Sequence, residues 1–158
     1  MRIAVATDEL TGIATALPEL LRDRGHEPLL HGAYVAAETP EWAWASERAA
    51  RDVAEGSAER AIVACWTGTG ASIAANKVAG IRAALCADAA TAAGARRFND
   101  ANVLALSLRT TSEAELAEIV DAWLATPASD EADDERNLAH LGEIEGAASP
   151  GAGGRIAR

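Results

Sequence analysis

Short runs of consecutive apolar residues alternate along this chain with longer stretches whose apolar residues recur at helical spacing. That alternation constrains the fold more than any other feature. Residues 3–7, 61–65 and 103–106 are apolar at almost every position, as strands are when both faces of their sheet are covered. Residues 27–31 and 82–86 read as weaker strands. Between the first two strands, Ile13, Leu17, Leu20 and Leu21 follow helical spacing. Pro18 marks the start of that helix and Arg24-Gly25 its end. Thr39-Pro40-Glu41 predicts a second helix, capped by Thr39 with Pro40 at its first position, running to Glu55 and stopping at Gly56. Further helices are predicted over 71–78 and 88–97, and Ser112 with Glu115 forms a capping box that opens a helix to Ala125. Strand–helix alternation of this kind predicts a five-stranded, doubly wound parallel α/β domain over residues 1–126.

The composition changes after Pro127. Asp130, Glu131, Asp133, Asp134 and Glu135 read as a solvated linker into a last helix over 136–144, so residues 127–145 form a linker and C-terminal helix. Residues 146–158, rich in Gly and Ala, have nothing to bury and read as a disordered tail. A length of 158 residues suits one core. The net charge of -10 argues against a broad basic surface for nucleic acid, and no apolar run reaches the roughly 18 residues of a membrane span. The strand-like start without signal-peptide pattern predicts a cytoplasmic protein with reduced thiols. Cys65, Cys86 and three scattered histidines show no metal-ligand spacing, so no metal site is expected.

In an open parallel sheet, ligands bind beyond the carboxyl ends of the strands, near the switch in strand order. Three polar features are candidates for that region: Asp8 after the first strand, residues 65–72 after the third, and Asn99-Asp100 ahead of the fifth. The two glycines of Thr67-Gly68-Thr69-Gly70 allow a sharp turn whose N–H groups can hold an anion, or an oxyanion that develops during reaction. The segment is not a dinucleotide fingerprint, which has a third glycine, nor a P-loop, since Lys77 lies too far along. Cys65 stands where a thiolate is favoured, at a strand end ahead of a helix. Burial as a small apolar residue is the alternative. Trp42 and Trp44, two apart, cannot share a helix face, so one borders the pocket and the other the surface. Trp123 and Cys86 read as core, and Lys77 as a packing or surface residue.

Cys65-Trp66-Thr67-Gly68-Thr69-Gly70-Ala71-Ser72-Ile73-Ala74-Ala75-Asn76-Lys77 resembles the Cys-Gly-Thr-Gly-Ile-Gly-x-Ser-Ile-Ala-Ala-Asn-Lys signature of the ribose-5-phosphate isomerase B and galactose-6-phosphate isomerase family. The similarity continues through residues 80–86 and 99–106. The resemblance implies a Rossmann-like three-layer α/β/α fold that forms a homodimer or dimer of dimers. Active sites would be shared, and the C-terminal helix would pack on the partner subunit. It implies aldose–ketose isomerisation of a small sugar or sugar phosphate through a cis-enediolate, with no metal or organic cofactor. By position, Cys65 would be the base between C1 and C2, and Thr67 would serve the oxygen-to-oxygen proton transfer. The backbone N–H groups of Gly68, Thr69, Gly70, Ala71 and Ser72 would hold the enediolate, assisted by Asn99 from the partner. A base beside an oxyanion turn suits proton abstraction next to a carbonyl.

The departures from the family pattern bear on the substrate. After the first strand the family has Asp-His-Ala-Gly. Here Asp8 is kept, and Glu9 stands where a phosphate-binding histidine is usual. Phe98 replaces the histidine that opens the sugar ring, and His140 replaces the second of two arginines on the last helix, beside Arg136. Arg109 matches a family arginine, and Trp66 replaces a glycine and would narrow or cap the pocket. A missing ring-opening acid–base costs a furanose substrate about 10²–10⁴-fold but costs an open-chain substrate nothing. A short or linear sugar phosphate is therefore expected rather than ribose 5-phosphate. A non-phosphorylated substrate in a specialised pathway, with isomerase or epimerase chemistry, is one alternative. A catalytically silent subunit of a heteromeric isomerase is the other.

Overall fold

The computed structural model describes residues 1–147. Five parallel strands, β1 (Arg2–Thr7), β2 (Glu27–Gly32), β3 (Arg60–Cys65), β4 (Ala83–Leu85) and β5 (Val103–Ser107), form one sheet in the order β2-β1-β3-β5-β4. The helices are α1 (Leu17–Asp23), α2 (Trp42–Ala54), α3 (Thr69–Ala75), α4 (Ala89–Asn99), α5 (Glu113–Ala125) and α6 (Ala132–Ala147), and a single 3₁₀ turn at Gly12–Ala14 precedes α1. The expected doubly wound α/β domain is present, and the direction of winding reverses between β1 and β3.

The two faces of the sheet are packed differently. One core cluster uses large side chains, with Ile3, Leu21, Ile62, Leu104, Leu106, Ile119 and Trp123 fully buried. The other is thin, built largely from Ala4, Ala6, Ala45, Ala49, Ala61, Ala71, Ala75 and Ala105 with Cys65 among them. Alanine lets α2 and α3 approach the strands and each other closely. Trp123 and Cys86 are core as expected, and burial pushes the Cys86 thiol up to about 11, with Asp88 adding to the rise.

The capping box of α5 forms as predicted: Ser112 Oγ accepts from the Glu115 N–H, and the Ser112 N–H donates to Glu115. Other boundaries differ for local reasons. Thr39 and Pro40 do not start α2, which begins at Trp42 with Glu41 as N-cap. Glu38 is held back against the end of β2 by the Gly32 N–H (2.8 Å), so residues 33–38 form turns there and Thr39 and Pro40 stay outside the helix. α3 starts at Thr69 rather than Ala71 because Gly68 turns in the left-handed region ahead of it. It ends at Ala75 because the Asn76 amide bonds both backbone groups of Ala83 (2.8 Å each) and turns the chain into β4. β4 keeps only Ala83–Leu85 of the predicted 82–86. The acidic run is not all linker: Asp133, Asp134 and Glu135 occupy the first turn of α6, where negative charge complements the helix dipole. Gly146 and Ala147, expected in the tail, are helical, and the rest of the tail, 148–158, lies outside the described residues.

Candidate active site

Strand register builds the first part of the site. Thr7 lies opposite Ala64, and Cys65 opposite Ser107, so β1, β3 and β5 deliver their carboxyl ends to one place at the winding switch. Cys65 is 4% exposed. Its carbonyl accepts from the N–H groups of Gly68 (3.1 Å) and Leu108 (3.0 Å), and the Trp66 carbonyl accepts from Arg109 N–H and Ser107 Oγ (3.0 Å each). The turn after β3 is therefore tied to β5 through the backbone, and Arg109, itself exposed, is tethered beside Trp66. Trp66 is half exposed.

Gly68 adopts φ +76°, and a Cβ there would lie 2.5 Å from Leu85 Cδ1 and 2.8 Å from the Leu106 backbone, so only glycine fits. The Gly68 carbonyl accepts from Ser72 N–H (3.0 Å), which starts α3. Two of the five expected enediolate donors are thus consumed internally, Gly68 by Cys65 and Ser72 by Gly68. Among the described residues, the N–H groups of Thr69, Gly70 and Ala71 are left open. The Ser72 hydroxyl turns to the Ala83 carbonyl (3.4 Å). Thr67 and Thr69, both exposed, share a hydroxyl–hydroxyl bond of 2.7 Å. Trp42, not Trp44, lies at the site, its ring against Gly70.

Asp8 follows β1 with one carboxylate oxygen, Oδ1, buried and unbonded. Burial raises its pKa above the ordinary carboxylate value, the neighbouring Glu9 charge adds to the rise, and the backbone N–H groups of Asp8 and Glu9 oppose it. Glu9 is exposed, and its N–H and carbonyl are both held by Thr7 Oγ1.

The remaining predicted site residues are elsewhere in the chain. Asn99 was expected near a carboxyl strand end. It ends α4, which runs antiparallel to the strands, so it sits at their amino ends instead, with its carbonyl accepting from Arg82 Nε (3.2 Å) just ahead of β4. The length of β5 separates that end from Cys65, roughly 13 Å by strand rise. Phe98 is exposed beside it. Arg136 and His140 are exposed on α6, paired with Asp133 and with Glu143 (2.8 Å) respectively. A groove of about 420 Å³ between α6 and residues 80–84 is lined by Arg82, Asn99, Leu138 and Leu141. One chain therefore brings together Asp8, Glu9, Cys65 to Ser72 and Arg109, but not Phe98, Asn99, Arg136 or His140. Sequence reasoning did not find the Trp42–Gly70 contact or the internal use of two amides. The sequence holds two partial signals, Gly70 itself and the reading that one of Trp42 and Trp44 borders the pocket.

The ribose/galactose isomerase family model matches residues 3–141. Ribose-5-phosphate isomerase B of Escherichia coli is 45% identical over 105 residues, 66% of this chain and 69% of that protein. D-erythrulose-4-phosphate isomerase of Pectobacterium atrosepticum is 33% identical over 125 residues, 78% of this chain and 82% of that protein. The structure of Clostridium thermocellum ribose-5-phosphate isomerase B superposes with a TM-score of 0.86 at 33% identity, covering 94% of this chain and 100% of the other. No helix among the described residues is long and apolar enough to cross a membrane. A family match over most of the chain, relatives that are isomerases, and a fold shared at a TM-score of 0.86 lead to one assignment: the chain belongs to the ribose/galactose isomerase family and is an aldose–ketose isomerase.

Proposed function

We propose that this isomerase moves a proton between C1 and C2 of a short, open-chain sugar phosphate through a cis-enediolate. Cys65, as thiolate, takes the proton from the carbon next to the carbonyl and returns it to the neighbouring carbon. Thr67 carries the hydroxyl proton from one oxygen to the other. The open N–H groups of Thr69, Gly70 and Ala71 hold the enediolate charge, and Asp8, at the end of β1, accepts from a substrate hydroxyl. Asn99, Arg136 and His140 act from a second copy of the chain in a homodimer or dimer of dimers, where Arg136 and Arg109 supply local positive charge in a protein of net charge -10. The observation that carries this reading is the buried thiol of Cys65 at the winding switch, next to a left-handed glycine turn with open amides. A base beside oxyanion donors is what enolisation requires.

Phe98 supports the open-chain substrate, since it cannot act as the acid–base that ring opening needs. A tetrose phosphate cannot close a furanose through the oxygen that carries its phosphate, and the Pectobacterium relative is named for a tetrulose phosphate. Trp66 narrows the pocket on the same account. Glu9 favours a second reading, a substrate without a distal phosphate dianion, because a carboxylate where the family has a phosphate-binding histidine costs a dianion affinity. The test compares kcat/KM for D-erythrulose 4-phosphate, ribose 5-phosphate and unphosphorylated erythrulose. The proposal expects a preference for the tetrulose phosphate of about 10²-fold or more. Equal turnover of the two phosphates removes the open-chain argument, and a preference for the unphosphorylated ketose selects the second reading.

A further inference from the structure

We infer that Trp42 is a positioning residue for this site: its ring, seated on Gly70, holds the turn whose amides face the enediolate. The inference rests on the proposed use of the Thr69, Gly70 and Ala71 amides, and its basis is steric. Gly70 does not adopt positive φ, so its backbone conformation does not demand glycine. A Cβ there would instead lie 3.0 Å from Cδ2 and Cε3 of the Trp42 ring. The ring thus lies against the Gly70 Cα with less than a methyl group of room to spare, and the small residue at 70 and the large one at 42 are a matched pair.

The ring is itself firmly based. Trp42 is the first residue of α2, and the start of α2 is locked to the end of β2 from two sides. Ala45 packs so closely on Gly32 that a Cβ at Gly32 would lie 2.6 Å from the Ala45 Cβ. Glu38 accepts from Gly32 N–H (2.8 Å) and pairs with Arg48 of α2 (2.9 Å). By contrast α3 has only seven residues, too few to be stable on its own hydrogen bonds. A short helix whose first turn must present its amides in fixed positions is propped by a ring from a longer, anchored one. Trp42 is 44% exposed, so burial alone does not call for an aromatic residue there.

The test uses Trp42→Phe, Trp42→Ala, Gly70→Ala and the double variant Trp42→Ala/Gly70→Ala in the full chain. Turnover is followed with D-erythrulose 4-phosphate, and hydrogen exchange of the Ser72 amide, which closes the first turn of α3, by NMR. Trp42→Ala is expected to lower kcat about 10- to 100-fold with KM within about threefold, and to speed Ser72 exchange. Trp42→Phe keeps a flat ring on Gly70 and retains most of the rate and the slow exchange. Gly70→Ala slows the native enzyme but costs little more once Trp42 is gone. Unchanged Ser72 exchange in Trp42→Ala, or equal losses from Gly70→Ala with and without Trp42, overturns the inference. A native chain with no more turnover than Cys65→Ala refutes the isomerase site instead, and the exchange data still decide whether Trp42 holds the turn.

Discussion

At the carboxyl ends of β1, β3 and β5, site residues are fixed by buried backbone: Cys65 is hydrogen-bonded to its own turn and to β5, and Gly68 is wedged between Leu85 and the Leu106 carbonyl. At the other end of the sheet, α6 carries Arg136 and His140 on exposed turns with only local ion pairs to Asp133 and Glu143. Proton transfer needs atoms held to fractions of an ångström, and a rigid strand end supplies that. Anchoring a distal charged group tolerates more freedom, which a long exposed side chain has. On the proposed reading, the difference teaches that one chain by itself holds the base, Cys65, together with its turn of open amides. The residues proposed to grip the far end of the substrate, Arg136 and His140, face outward on α6.

Substitutions in each half give ways to break this comparison. Cys65→Ala is expected to lower kcat about 10²–10⁴-fold in a turnover assay, with a thermal midpoint near that of the native protein, because the core loses only a sulfur. Full retention of turnover would show that Cys65 is merely a buried small residue. Gly68→Ala acts on the same half through the fold. Positive φ and two close contacts should cost about 2–4 kcal/mol in denaturant unfolding; a loss under 1 kcal/mol would mean the turn is not held as described. In the other half, Arg136→Ala is expected to raise KM about tenfold, an ion-pair-sized loss near 1.4 kcal/mol, while kcat and stability change little. An equal fall in kcat would place Arg136 at the reacting carbons.

The smallest effect concerns Asp8. Its folded pKa is raised by burial, so the folded state binds the proton more tightly than the unfolded chain does. Below the ordinary value of 3.8 this favours folding. As pH rises through the window between 3.8 and the raised value, that contribution is lost. The stability of the native protein relative to Asp8→Asn should therefore fall with rising pH across that window and stay level above it, as followed by urea unfolding. The opposite slope would mean that Asp8 is paired in the native state.

Much of the chemical half was legible in the sequence because it is local. Apolar runs predict strands, a thiol at a strand end predicts its own placement, and Gly68 predicts a turn. The Ser112–Glu115 box was readable for the same reason. What was not legible depends on through-space packing or on competition for hydrogen bonds. Nothing in the sequence says that Ser72 N–H is spent on Gly68, or that Trp42 rather than Trp44 reaches Gly70 across the alanine-lined face. Proximity to β5 in sequence does not place Asn99, because α4 runs back to the amino ends of the strands before the chain enters β5. An acidic run by itself predicts a solvated linker, but the helix dipole makes use of Asp133, Asp134 and Glu135 in the first turn of α6.

The central claim is that the two halves belong to one site built across two chains. Mixing Cys65→Ala and Arg136→Ala chains, unfolded and refolded together, tests it most directly under substrate concentrations far below KM. If sites are shared, each heterodimer has one site with both defects and one with neither, so the mixture should recover about a quarter of native activity. A mixture no more active than the average of the two variants refolded separately would contradict the claim, and would return Arg136 to the surface of its own chain.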